Sequence, residues 1–271
     1  MTVEWAVPVL KEAVKNRHIV LNGWHRMVAF FLGPQSSIAV VGQGGIGKSV
    51  LVDHITGKAF KPNYKLPPKS RKIEKGLTKS QENRLALTVA PGQGGPQVDA
   101  FNKVFSTKGK TVDGIIFVAG NGLVSLRQEA SIERYIKENN YDLDTFRREQ
   151  LKDELDYLKQ ITNQVRMAQS RERKPRWLMV AVTKVDLYHS DLPAAEKYYS
   201  PHGDSQFSRA LNKLKALVGA DNFEWDSAPV CSALEDFVWG EETLKSDIDD
   251  IHRDHYLAQM IQRIGEMCQA Q

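Results

Sequence analysis

One stretch constrains this chain more than any other: Ser36–Gly57, reading SSIAVVGQGGIGKSVLVDHITG. Ile38–Val41 is a short continuous apolar run, which predicts a strand buried on both faces. The next eight residues, Gly42-Gln43-Gly44-Gly45-Ile46-Gly47-Lys48-Ser49, fit G-x-x-x-x-G-K-[ST] without deviation. From Lys48 to Ile55 the pattern predicts the start of a helix. Glycines let successive backbone N–H groups line one concave nest. A helix N-terminus directed at that nest adds its positive dipole end. Lys48 brings a point charge for a β- or γ-phosphate, and Ser49 a hydroxyl for Mg²⁺, which needs few protein ligands. The expectation is a cradle for a nucleotide di- or triphosphate. It would be lined by Gly42, Gly44, Gly45, Ile46, Gly47, Lys48, Ser49 and Val50.

The rest of the chain reads as a scaffold for such a loop. Leu85–Ala90, Gly114–Ala119 and Trp177–Val182 are further apolar runs, and Ala228–Cys231 is a shorter strand candidate. Between them lie helical patterns. Leu151, Leu155, Leu158, Ile161 and Val165 recur at three- and four-residue steps in a helix-rich block from Leu123 to Arg173. Ser205–Val218 and Ile248–Met267 are amphipathic. Lys58–Ser80 holds Pro62, Pro67 and Pro68 and reads mostly as loop. Strands alternating with helices predict an α/β domain with a largely parallel sheet.

Composition excludes several classes. The 271 residues are 41% hydrophobic and 26% charged, enough for an ordinary core. A net charge of +4 is too small to argue for nucleic acid or membrane affinity. Cys231 and Cys268 cannot build a disulfide framework or a zinc site. No basic leader precedes an apolar core at the N-terminus, Thr2 excludes N-myristoylation, and Ile19–Leu32 is too polar to span a bilayer. A cytoplasmic location is expected.

Thr183-Lys184-Val185-Asp186 follows the run Trp177–Val182, so it sits at a strand's carboxyl end, where open α/β sheets bind ligands. An aspartate there can accept the N1–H and amino donors of guanine, a donor pair adenine lacks. The lysine stem can lie over the base plane. After the next strand candidate comes Ser232-Ala233-Leu234, a turn whose amides could meet a purine carbonyl.

With GQGGIGKS, TKVD and the Ser232-Ala233 pair in hand, the chain resembles the Ras-like, translation-factor-related P-loop GTPases from about Ser36 onward. That resemblance implies a three-layer P-loop fold with a mostly parallel central sheet. It would occupy residues 35–271, with an expanded helical block around 121–175, preceded by a helical extension over 1–34. It implies GTP and GDP as ligands, Mg²⁺ as cofactor, and slow GTP hydrolysis as a molecular switch. Lys184 and Asp186 would select guanine, and Thr183, Ser232, Ala233 and Leu234 would also contact the nucleotide. TKVD has Thr183 in place of the commoner Asn. The third family motif departs further. In the stretch Val89-Ala90-Pro91-Gly92, valine stands where relatives carry an aspartate that reaches Mg²⁺ through water. Gly92 would still face the terminal phosphate, and Gln93 occupies the place of the glutamine that orients attacking water. Gln93 and Lys48 are the expected catalytic residues. A nucleotide-gated scaffold with negligible turnover is the first alternative, and an ATP-binding P-loop protein the second.

Lys58, Lys61, Lys65, Lys69, Arg71, Lys72, Lys75 and Lys79 face one acid, Glu74, across the region of the first switch loop. Ser70 is its nearest hydroxyl and the second expected magnesium ligand. The basic stretch could meet RNA, a ribosome or an acidic protein effector, though a solvated loop is the simpler reading. Trp24, Met27, Val28, Phe30 and Phe31 form an apolar patch. It is expected to pack on the domain or to pair copies into a homo-oligomer, rather than lie in a membrane interface. Cys268 four residues from the end is a poor prenylation signal.

Overall fold

The computed structural model describes Trp24, Val28 and residues 37–61, 63–67, 74–79, 84–89, 112–126, 132–138, 141–169 and 174–269. Its centre is a six-stranded sheet. β1 is Ser37–Val41, β2 Glu74–Lys79, β3 Arg84–Val89, β4 Gly114–Ala119, β5 Trp177–Val182 and β6 Glu224–Pro229. The strand order is β2-β3-β1-β4-β5-β6. Only the β2–β3 pair is antiparallel; the other four pairs are parallel.

Every residue of β4 and β5 is buried. Strands buried along their whole length must be covered on both faces, and that makes the domain a three-layer α/β fold. The helices that cover it are α1 (Lys48–Ile55), α2 (Leu143–Ala168), α3 (Leu192–Tyr199), α4 (Gln206–Val218) and α5 (Asp250–Gln269). On one face Phe117 of β4 meets Tyr157 of α2 and Phe207 of α4, with ring centroids 6.0 and 5.7 Å apart. Of the α2 stripe, Leu155, Leu158, Ile161 and Val165 are buried and Leu151 is half-buried against the core. α2 starts on Asp142, whose carboxylate accepts the Thr145 N–H at 2.8 Å, and α4 starts on Ser205 in the same way at 2.9 Å.

Several boundaries differ from the sequence reading. The helical block does not begin at Leu123. Asn121 and Gly122 have φ of 49° and 75°, and such left-handed residues end regular structure, so the chain turns here and runs on as loop to Leu126. The described helical part of the block is residues 132–133, the π-helical turn Arg134–Glu138 that follows them, and α2. The last sheet strand is Glu224–Pro229, so Cys231 lies beyond it in the turn. Part of the basic stretch is strand, since Glu74–Lys79 pairs with β3 along its whole length. Two elements had no counterpart in the sequence reading. One is α3. The other is a hairpin of β7 (Phe237–Trp239) and β8 (Glu242–Leu244), turning at Gly240 with φ 59°. Of the N-terminal apolar patch, Trp24 and Val28 are described. Both are buried, and Trp24 donates to the Ile55 carbonyl at 3.2 Å and meets Phe60 edge-on. Among the described residues no helix is long and apolar enough to cross a membrane.

β1 has β3 on one side and β4 on the other, so chain direction across the sheet reverses there. The crevice at the carboxyl ends of these strands is where such a sheet presents a binding site.

Candidate functional site

The loop after β1 is shaped by close backbone contacts. A Cβ on Gly42 would stand 2.4 Å from the Val118 carbonyl oxygen, and one on Gly45 2.3 Å from that of Ser125. Neither position has room for a side chain. Gly47 differs: nothing lies within 4 Å of its hypothetical Cβ, and its φ of 91° is what excludes other residues. As the N-cap of α1, Gly47 gives that helix no side-chain cap, and its first turn holds no acid. The N-terminus of α1, with its positive dipole end, therefore faces the loop with no side-chain cap over it. Lys48 is buried and donates from Nζ to the Gly42 carbonyl at 2.8 Å and to the Gln43 carbonyl. Its ammonium thus curls over the loop's mouth. Ser49 and Val50 follow in the first turn of α1, next to the cradle.

The turn 121–126 braces this loop from below. Ser125 N–H donates to the Gly45 carbonyl at 3.1 Å. Beneath it, Gly120 N–H donates to Glu154 of α2 at 2.7 Å, and the other Glu154 oxygen accepts from the Tyr199 hydroxyl at 2.6 Å. Burial pushes the Glu154 carboxyl up to about 7, and the two hydrogen bonds pull the other way.

Thr183, first residue after β5, links loop and crevice. Its Oγ1 lies 2.8 Å from the Ile46 carbonyl and 2.9 Å from that of Ala119, so one hydroxyl ties the loop after β1 to the end of β4. Lys184 follows with φ 65°. Its Nζ donates to Ser125 Oγ at 2.7 Å and lies 4.9 Å from the centre of the Phe237 ring. Burial lowers its pKa to about 8, against the raising effect of Asp186, Glu235 and Cys231. Asp186 is 1% exposed. Oδ1 accepts the Cys231 thiol at 3.1 Å, while Oδ2 is buried with no hydrogen-bond partner. Burial, then the neighbouring Asp186 carboxylate, pushes the Cys231 thiol far up, so it stays a protonated donor. Ser232 Oγ is a second buried atom without a partner. A carboxylate oxygen left in that state is costly unless a donor arrives.

These parts share one cleft of about 280 Å³, walled by Gly45–Gly47 and Val50 at one end and by Lys184, Asp186, Ser232, Ala233 and Phe237 at the other. Leu66 lies on its rim, 45% exposed. The structure therefore brings the G-x-x-x-x-G-K-S loop, the TKVD segment and the Ser232-Ala233 turn together. Leu234 does not line the cleft; it is half-buried against the core. Val89 is the last residue of β3, buried beside Val40 of β1. Ser70, Gly92 and Gln93 lie outside the described residues.

Magnesium can be tested against the donors. Among the described residues no group of three or more His, Cys, Asp or Glu could hold a metal. The Ser49 hydroxyl, at the start of α1, is the described side chain suited to it. Among the described residues this donor set fits a metal carried in by phosphate oxygens and water.

Four neighbours of the site were not legible as such. Ser125 had no motif to mark it. Leu66 sits among prolines. Phe237 belongs to the run Phe-Val-Trp-Gly, whose aromatic and β-branched residues ahead of a glycine are a strand-and-turn signal. Glu154 stood out least, yet it interrupts the apolar stripe between Leu151 and Leu158.

No family model matches the chain, and no curated protein matches it. Solved structures similar to it include Toc33 from Arabidopsis thaliana in complex with Mg²⁺ and GMPPNP, at 10% identity over 92% of this chain and 93% of that one, with a TM-score of 0.47. The mammalian SRP receptor is similar at 15% identity over 84% and 99%, with a TM-score of 0.43. The cytosolic domain of the T. maritima FeoB iron transporter in a GDP form is similar at 15% identity over 88% and 65%, with a TM-score of 0.40. These likenesses are distant, and the fold assignment stands on strand order and register.

Proposed function

We propose that this chain binds guanine nucleotides in the cleft between α1 and the TKVD turn, and hydrolyses GTP slowly as a switch. One observation carries the reading: the buried, unpartnered Asp186 Oδ2 belongs to the same cleft that is walled at its other end by Gly45–Gly47 and the start of α1. The carboxylate supplies acceptors for the N1–H and amino group of guanine. The Gly45–Ser49 backbone and Lys48 receive the phosphates, and the Lys184 stem covers the base. Thr183 and Ser232 complete the frame around it. Mg²⁺, when bound with the nucleotide, would neutralise phosphate charge, held on the protein side by Ser49 and Ser70. Gln93 would orient the attacking water. Residues 35–271 form the nucleotide-binding domain in this reading and residues 1–34 its helical extension. A protein effector or activator would read the nucleotide state in the cytoplasm.

The test is a titration with GTP, GDP and ATP, with and without Mg²⁺. We expect GTP and GDP to bind, and Asp186→Ala to weaken them by roughly a hundredfold while leaving ATP unchanged. ATP binding as tightly as GTP in both proteins would overturn the guanine assignment.

A second reading, a nucleotide-gated scaffold without turnover, is favoured by one feature. Val89 ends β3 as a buried aliphatic where a metal-facing carboxylate would assist catalysis. Single-turnover phosphate release separates the two. A rate above background that falls in Gln93→Ala supports hydrolysis, and background release in both proteins leaves the scaffold.

A further inference from the structure

We propose that Phe237 is a positioning residue for Lys184, and that its place over the base site is set by the helical block through Trp239. This rests on the guanine-nucleotide reading above and deepens it.

Phe237 and Trp239 are two residues apart on β7, so they share one face of the hairpin, while Val238 between them points out and is 59% exposed. One inward ring faces the base crevice and the other the block 134–168. Toward the crevice, the Phe237 face lies 4.9 Å from Lys184 Nζ, which Ser125 Oγ holds from another side at 2.7 Å. Toward the block, Trp239 stacks on Phe146 of α2 with centroids 4.0 Å apart and planes at 22°. Its indole N–H donates to the Tyr141 carbonyl at 3.0 Å, and Tyr135 of the π-helical turn lies 6.1 Å away. A two-stranded hairpin alone is marginal in water. This one takes its position from Trp239 and from Asp236, which accepts from Lys245 at 2.7 Å and from the Ser246 N–H at 3.0 Å.

The need for the ring follows from burial. An ammonium taken out of water requires compensation. Lys184 has the carboxylates Asp186 and Glu235 nearby and the Cys231 thiol beside them, but its one hydrogen-bond partner above goes to a neutral hydroxyl. An aromatic face adds favourable charge–quadrupole energy without competing for a proton. It leaves the aliphatic stem fixed and free to lie against a base.

The experiment measures GDP affinity from pH 6 to 9.5 for the unmodified protein, Phe237→Leu and Phe237→Tyr. Phe237→Leu keeps an apolar side chain and removes the π face; Phe237→Tyr keeps the face. We expect Phe237→Leu to weaken GDP about three- to tenfold. Its alkaline loss of affinity should begin roughly half a unit to one unit lower, because the cation has lost its partner. Phe237→Tyr should match the unmodified protein in both respects. Equal weakening in both variants, or an unmoved alkaline limb in Phe237→Leu, would overturn the proposal. Should Phe237→Leu not fold, the unmodified protein decides. The Lys184 ε-methylene protons, assigned by their loss in Lys184→Arg, should be shifted upfield by the ring, and resonance at the ordinary lysine position overturns the proposal. Failure of the unmodified protein to bind GDP at all is a separate result that sinks the functional reading instead.

Discussion

The two ends of the cleft are built on opposite principles. At the glycine-loop end, proposed for the phosphates, the protein removes side chains: Gly42 and Gly45 have carbonyl oxygens where a Cβ would go, and the first turn of α1 has no side-chain cap. At the TKVD end, proposed for the base, it accumulates them, with Thr183, Asp186, Cys231, Ser232 and Phe237 buried and Lys184 half-buried among them. A backbone cradle tolerates little substitution, because every atom in it is structural. A side-chain crevice can be retuned one residue at a time, and its cost lies in buried polar groups that must find partners. The contrast predicts that damage at the first end is loss of fold and at the second loss of selectivity.

The largest expected effect tests the cradle. Gly45→Ala puts a Cβ 2.3 Å from the Ser125 oxygen at a residue with φ 80°. Either the loop or the turn 121–126 must move, and the Ser125–Gly45 hydrogen bond goes with it. We expect a loss of about 4 kcal/mol, measured by denaturant unfolding, from clash and left-handed strain together. Gly47→Ala meets no atom within 4 Å and should cost only the backbone term, about 1–2 kcal/mol. Equal losses in the two variants would break the claim that close packing shapes the loop.

The same contrast explains what could be read in the sequence. A backbone cradle needs glycines at fixed spacing, so Gly42–Ser49 announced itself, and the uniformly apolar strands around it gave the sheet. TKVD and the Ser232-Ala233 turn were legible because a turn at a strand end has few side chains to offer. Ser125 and Phe237 were not, because their roles depend on arrival from elsewhere. Ser125 reaches Lys184 across 59 positions, and Phe237 reaches it from a hairpin whose place is fixed by Tyr141 and Phe146. Such partners carry no local signature. Leu123–Leu126 was misread as helix because its apolar residues mask the left-handed pair Asn121-Gly122 just before them.

A middle-sized effect probes the platform under the cradle. Glu154 is fully buried, ligated by Gly120 N–H and the Tyr199 hydroxyl, with its carboxyl raised from 4.5 to about 7. A raised acid binds its proton more tightly folded than unfolded. Its contribution is therefore intact below pH 4.5 and is lost as pH rises toward 7. Glu154→Gln imitates the protonated form and should escape that loss. Relative to the variant, the unmodified protein should lose about 3 kcal/mol between those limits, an upper figure for a shift of this size. His54, lowered by burial to about 4, destabilises in the opposite sense as pH falls below 6.5, but it is common to both proteins. Parallel stability curves from pH 4.5 to 8 would show that Glu154 does not titrate in this window.

The smallest expected effect bears on whether the two ends are separate at all. Thr183 Oγ1 stands within 3 Å of the Ile46 carbonyl in the cradle and of the Ala119 carbonyl at the end of β4. Its main-chain N–H also bonds Ala119, at 2.8 Å, so the backbone would stay in place without the hydroxyl. Thr183→Val keeps the shape and removes only the donor. We expect about 1–2 kcal/mol of lost stability, the cost of a buried carbonyl losing one donor. The informative measurement is amide hydrogen exchange. If the hydroxyl couples the ends, exchange should quicken in both Gly42–Gly47 and Lys184–Leu187, although Thr183 belongs to only one of them. Faster exchange confined to Lys184–Leu187 would mean that the cradle stands on its glycine contacts alone. The cleft would then be two independent half-sites that share a wall, and nucleotide binding, not the resting fold, would have to join them.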